Sequence, residues 1–173
     1  MKNSTILRIA HFVIFLLLQV LILKNIALFG FGFIFLYIAV LLFLPADMEK
    51  STLLLMGFVL GIMVDWFYDT LGVHAAASVL IMYLRPKWMQ LITPKGGYDA
   101  GVNPMLSDYG FNWFALYALP LILIHHFTLF VIQSGGFDRL MSILAKTSFS
   151  GVLTFVLMVL VQLLFYTKQR RVI

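Results

Sequence analysis

The stretch that decides the fold is residues 53–74, LLLMGFVLGIMVDWFYDTLGVH. Its apolar length suits a membrane-spanning helix, yet it carries two carboxylates, Asp65 and Asp69. Gly57, Gly61 and Asp65 recur at four-residue steps, so on a helix they share one stripe. Two glycines on such a stripe permit close approach of a second helix. An acid on the same stripe needs a partner inside the protein. Gly72 is expected to end this helix as a C-cap, and the small residues at 75–78, AAAS, offer a face for the glycine stripe to pack against.

The rest of the chain agrees with a membrane reading. Of its 173 residues, 62% are hydrophobic and 11% charged, against about half and about a quarter in soluble domains. Long apolar runs recur throughout and lack barrel-type alternation, which predicts an all-α integral membrane protein. Six spans are expected, at about 6–23, 28–44, 52–71, 73–92, 113–133 and 146–166, in a single polytopic domain covering 1–173. The fourth must run through Pro86, which would only kink it. The basic, apolar start is read as an uncleaved first span, since no small-residue cleavage site follows it.

Basic residues set the orientation. With the N-terminus cytoplasmic, Lys2, Arg8, Lys50, Arg85, Lys87, Lys95, Lys168, Arg170 and Arg171 lie inside, and only Lys24, Arg139 and Lys146 outside. Both termini are therefore expected in the cytoplasm, and the net charge of +5 is assigned to topology and anionic lipid rather than nucleic acid. The long fourth-to-fifth loop is then cytoplasmic, either a connector with an interfacial start at Trp88, Met89, Leu91 and Ile92 or a docking surface.

Depth counting singles out a polar cluster. At about 1.5 Å per residue, Asp65, Gln19, His125 and His126 all lie roughly 20 Å from the inner ends of their helices. Asp65 is expected to pair with His125 or His126, with Gln19 near, and Pro120 to free a carbonyl that joins them. Such a contact serves first as glue between helices. The chain has no cysteine, so disulfides and thiolate sites are excluded. Asp69 with His74 is too little for a metal site, no nucleophile has a readable base, and no phosphate loop is present. Neither catalysis nor a cofactor is expected.

The run GFVLGIMVDWFYDTLGVHAAASVLIMYL resembles the MreD family of rod shape-determining membrane proteins. The matching positions are Gly57, Gly61, Asp65, Leu71, Gly72, residues 75–77 and Tyr83, while the long fourth-to-fifth loop departs from the commoner family pattern. The resemblance implies a six-helix bundle similar to the substrate-binding subunits of energy-coupling-factor transporters. It also implies a non-catalytic role in cell shape and peptidoglycan synthesis, in the elongasome of the bacterial inner membrane. Implied partners are MreC first, and MreB, RodA and a transpeptidase through the complex. On this reading Gly57, Gly61, Asp65, Asp69 and Gly72 serve helix packing or partner contact. The alternative is a vitamin-type solute-binding subunit of a transporter, with Asp65, His74 and His125 lining its pocket.

Overall fold

The structure, a computed structural model, describes residues 13–165. The start of the first expected span, the end of the sixth, and the terminal basic residues Lys2, Arg8, Lys168, Arg170 and Arg171 lie outside the described residues. The elements are helical: α1 (Val13–Asn25), α2 (Ile38–Leu42), α3 (Lys50–Tyr68), α4 (Val73–Leu91), α5 (Leu106–Tyr109), α6 (Phe111–Gln133) and α7 (Leu140–Phe165). Among the described residues no β-strand forms, and the one bridge joins Leu28 to Gly32. Three helices, α3, α6 and α7, are long and apolar enough to cross a membrane, as expected of a helical membrane protein.

The chain lays α4 between α3 and α6, and α6 between α4 and α7. The buried residues of α3 are Leu53, Gly57, Leu60, Gly61, Val64 and Asp65, spaced so that all lie on one helical face. That face meets α4. A Cβ built on Gly61 would stand 2.3 Å from the Ala75 Cα and 2.6 Å from its nitrogen. On Gly57 it would stand 3.0 Å from both the Met82 Cγ and the Ser78 carbonyl oxygen. The glycine stripe thus brings the two backbones into contact. The turn between them differs from expectation. Asp69, left-handed at φ 53° and ψ 40°, ends α3, while Gly72, at φ 83°, stands at the N-cap of α4. Asp tolerates the left-handed region better than most residues because its short polar side chain bonds locally.

The second expected helix, 28–44, is corrected. Only Ile38–Leu42 is helical, and the chain before it turns at Phe29 and Gly30, both with positive φ, then runs without regular structure from Phe33 to Phe35 and turns into α2 at Leu36 and Tyr37. Aromatic residues stand at every second position from Phe29 to Tyr37, which is the period of an extended chain rather than a helix. The apolar length of the segment hid that period.

The short α2 ends on a buried cation. Arg85, fully buried on α4, donates from Nη2 to the Leu44 carbonyl, from Nη1 to the Pro45 carbonyl at 3.3 Å and from Nε to the Tyr117 hydroxyl at 2.6 Å. Tyr117 in turn donates to the Leu42 carbonyl at 2.8 Å. The guanidinium thus satisfies two carbonyls of the segment that follows α2, and Tyr117 satisfies the last carbonyl of α2 itself. Arg85 was expected as a solvated topology residue and instead ties α4 and α6 to α2.

Two prolines sit inside helices without ending them, Pro86 in α4 and Pro120 in α6. A proline leaves the carbonyl four residues earlier without its helical donor. For Pro120 that is Leu116, whose oxygen accepts the Trp88 indole N–H at 3.1 Å, so it joins α4 to α6 rather than the histidines.

The long loop folds against the bundle. Trp113 Nε1 donates to the Ile92 carbonyl, the Tyr98 hydroxyl to Met89 and the Leu106 N–H to Gln162 Oε1. Tyr98, Tyr109, Trp113 and Tyr117 form a continuous aromatic stack, with centroids 4.5–5.9 Å apart. Burial pushes the Tyr98 phenol up, so it remains a donor at physiological pH.

The two glycines of the stripe predict different outcomes. Gly61→Ala should lower the melting temperature of the detergent-purified protein more than Gly57→Ala, because its methyl would meet α4 backbone at 2.3 Å, whereas the nearest atoms to a methyl on Gly57 stand at 3.0 Å. The cost of such overpacking is about 1–3 kcal/mol or more. Equal effects, or a larger one at Gly57, would contradict the packing described.

Candidate functional site

The N-terminus of α4 needs a cap, and Gly72 at the N-cap has no side chain to give. Asp65 supplies it from the last turn of α3. Its Oδ1 accepts the His74 N–H at 2.9 Å and its Oδ2 the Ala75 N–H at 2.9 Å. These are the second and third amides of the helix, the pair that a capping side chain ordinarily binds. The same carboxylate accepts the Thr70 hydroxyl and lies 3.1 Å from His74 Nδ1. A negative charge at the positive end of the α4 dipole adds to these bonds.

Asp65 therefore does not meet His125 or His126. The expected pairing is replaced by His74, nine residues along the chain, because the tight α3–α4 turn brings that ring to the carboxylate first. Asp69 is exposed at the end of α3. Among the described residues no group of three or more His, Asp or Glu is placed to hold a metal.

His125 and His126 bind the segment ahead of α2 instead. Tyr37 bonds His125 Nε2 through its hydroxyl at 2.6 Å. His126 Nδ1 faces the Ile122 carbonyl at 2.8 Å, which can only accept. In the neutral ring Nε2 then accepts, and its partner is the Thr154 hydroxyl at 3.1 Å. The Thr154 oxygen accepts the Phe35 N–H at 3.1 Å. One bond-by-bond line thus runs from residue 35 through α7 to α6.

Backbone without regular structure inside an apolar bundle must find its partners within the protein. Three side chains provide them. The Phe33 N–H donates to Ser150 Oγ at 3.0 Å, Phe35 to Thr154 Oγ1, and Tyr37 to Gln19 Oε1 at 3.3 Å. Gln19 Nε2 returns bonds to the Ile34 carbonyl at 3.0 Å and to the Tyr68 hydroxyl at 2.7 Å. The spacing explains the ladder. Amides two apart on an extended chain are about 6.6 Å apart, and side chains four apart on a helix about 6 Å. Gln19 sits in a π-helical turn, Leu18–Ile22, a local widening common where a helix serves something beyond itself.

The residues expected at one depth do gather in one polar layer, but its hub is residues 33–37. Tyr37 packs edge-on to His74 and His125, at 5.9 and 5.5 Å, and Tyr68 lies 4.7 Å from His74. Tyr37, Tyr68, Ser150 and Thr154 were not anticipated. The buried positions Ile143, Thr147, Ser150, Thr154, Met158 and Val161 of α7 step at three and four, so a polar stripe was readable there. Among the described residues, His74 Nε2 and His125 Nδ1 are buried without a hydrogen-bond partner.

No family model matches this chain, and neither a curated protein nor a solved structure matches it.

Coupling between substitutions reads out these pairings. Asp65→Ala should cost about 2 kcal/mol or more, since it removes a cap and strands two buried amides. Asp65→Asn and His74→Ala should be non-additive by about 0.5–3 kcal/mol, whereas Asp65→Asn and His126→Ala should add within about 0.5 kcal/mol. Thr154→Val should destabilise and Thr154→Ser should not. Thermal melts of the single and double variants give each term, and strong Asp65–His126 coupling would refute the assignment.

Proposed function

We propose that this chain is a non-catalytic scaffold of the bacterial wall-elongation machinery, of the MreD kind, governing cell shape and peptidoglycan synthesis through protein contacts. The observation that carries the reading is the motif's mechanical unity. Gly57 and Gly61 admit α4, and Asp65 caps it through His74 and Ala75. The carboxylate is taken up in capping α4 and in holding Thr70 and His74, which suits a rigid support. On this reading α1, α4 and the segment 28–44 also cross, giving six passages in the inner membrane with both termini cytoplasmic.

The glycine face is occupied by α4, so partner contact falls elsewhere. The α3–α4 tip presents Trp66, Phe67 and a fully exposed Leu71, and exposed aromatic and aliphatic residues are the usual anchors of an interface. An MreC-type partner is assigned there, with MreB, RodA and a transpeptidase reached through the complex. A second reading, a vitamin-type solute-binding subunit, draws on the unpartnered ring nitrogens of His74 and His125.

In a rod-shaped host, depletion should round the cells, and a photocrosslinker at position 71 should capture the MreC-type protein. Depleted cells that keep their shape would end the scaffold reading. Loss of vitamin uptake with shape preserved would favour the second.

A further inference from the structure

Two apolar grooves flank the Lys87 ridge of α4. One, about 220 Å³, lies between α4 and α6 and is lined by Leu84, Trp88, Leu91, Pro120, Leu121 and Ile124 together with Lys87. The other, about 130 Å³, lies between α3 and α4, and Lys87 lines it with Lys50, Leu54, Met82, Tyr83 and Pro86. The helix register explains the shared lysines. Antiparallel packing that sets Gly61 on Ala75 and Gly57 on Ser78 and Met82 brings Lys50 level with Pro86 and Lys87.

Both lysines are exposed, and among the described residues neither pairs with a carboxylate. The acids of the preceding turn form no ion pair with them: Asp47 accepts the Gly101 N–H, and neither it nor Glu49 lies within ion-pair distance of Lys50 or Lys87. Lys87 lies instead over the Tyr83 ring, 5.3 Å from its centroid. Two like charges thus face one groove with no carboxylate ion-paired to either, towards the end of α4 where Trp88 and Tyr83 supply the aromatic residues typical of a membrane interface.

We propose that an anionic phospholipid straddles α4 at this end, its phosphate held by Lys50 and Lys87 and its two acyl chains laid in the two grooves. Charge complementarity selects the headgroup, and the pair of grooves on either side of one cation matches a two-chain lipid better than a single-chain amphiphile. Pro120 shapes the larger groove, and the Trp88–Leu116 bond holds its wall.

Native mass spectrometry of the full chain in detergent, offered equal phosphatidylglycerol and phosphatidylcholine of the same acyl chains, tests this. The wild type should retain phosphatidylglycerol about thirtyfold over phosphatidylcholine, from two lysines near the headgroup. Lys50→Gln with Lys87→Gln should bring the ratio to near one. Lys95→Gln with Arg139→Gln, which removes the same charge elsewhere, should leave it unchanged. Ile124→Trp, filling the larger groove from its partly exposed wall, should reduce retention of both lipids. No preference in the wild type, an unchanged ratio in the Lys50/Lys87 variant, or equal loss in the Lys95/Arg139 control would each overturn the proposal.

Discussion

A backbone without regular structure inside an apolar bundle is the constraint on which the structure turns. The amides of Phe33, Phe35 and Tyr37, ahead of α2, have no helical acceptor, and water is not available to them in the core. Their amides are met by side chains from two separate helices, Gln19 on α1 and Ser150 with Thr154 on α7. An unmet buried amide costs about 1–3 kcal/mol, so three together would outweigh much of a small protein's net stability. The placement of α1 and α7 follows from this need. So does the position of His126, which receives the Thr154 hydroxyl, and of His125, which meets Tyr37.

The second constraint is local. Gly72 starts α4 without a capping side chain, and Asp65 reaches across the turn to replace it. The same helix needs the glycine stripe to come near enough for that reach. Close packing and capping are therefore one device: enlarging Gly61 pushes the α4 backbone away, and the carboxylate loses its amides. The polar layer joins this device through Tyr68, which bonds Gln19 and packs at a tilt against His74.

Much of this was legible from the residues, and the failures have physical causes. The four-residue step of Gly57, Gly61 and Asp65 announced a shared face, and the uninterrupted apolar runs of α3, α6 and α7 announced helices. The continuation of α4 past Pro86 was also readable. Depth counting grouped Gln19, Asp65, His125 and His126 in one layer but could not choose partners, because pairing depends on rotation about each axis as well as height. It missed His74, whose proximity to Asp65 depends on a left-handed residue at Asp69. Residues 28–37 misled because apolar length was weighed above alternation, although Phe29, Phe31, Phe33, Phe35 and Tyr37 show period two. Arg85 misled because a lone basic residue beside an apolar run ordinarily marks the solvated side of a span, and only the fold reveals the carbonyls of Leu44 and Pro45 awaiting it.

That buried guanidinium bears on biogenesis. An arginine at mid-helix costs about 2.5–3.5 kcal/mol on translocon-mediated insertion, and α4 is not among the helices apolar enough to cross by composition. On the six-crossing reading, α4 is a weak inserter by itself. The strongly apolar α3, joined to it by a turn of only four residues, can carry it in as a hairpin. Arg85 then finds its acceptors only when the carbonyl end of α2 and the Tyr117 hydroxyl arrive. Since α6 brings Tyr117 and is made last of the three, the charge stays incompletely satisfied until the chain beyond the long loop has been synthesised. A chain ending before α6 would therefore leave the Nε of this buried guanidinium without the Tyr117 hydroxyl.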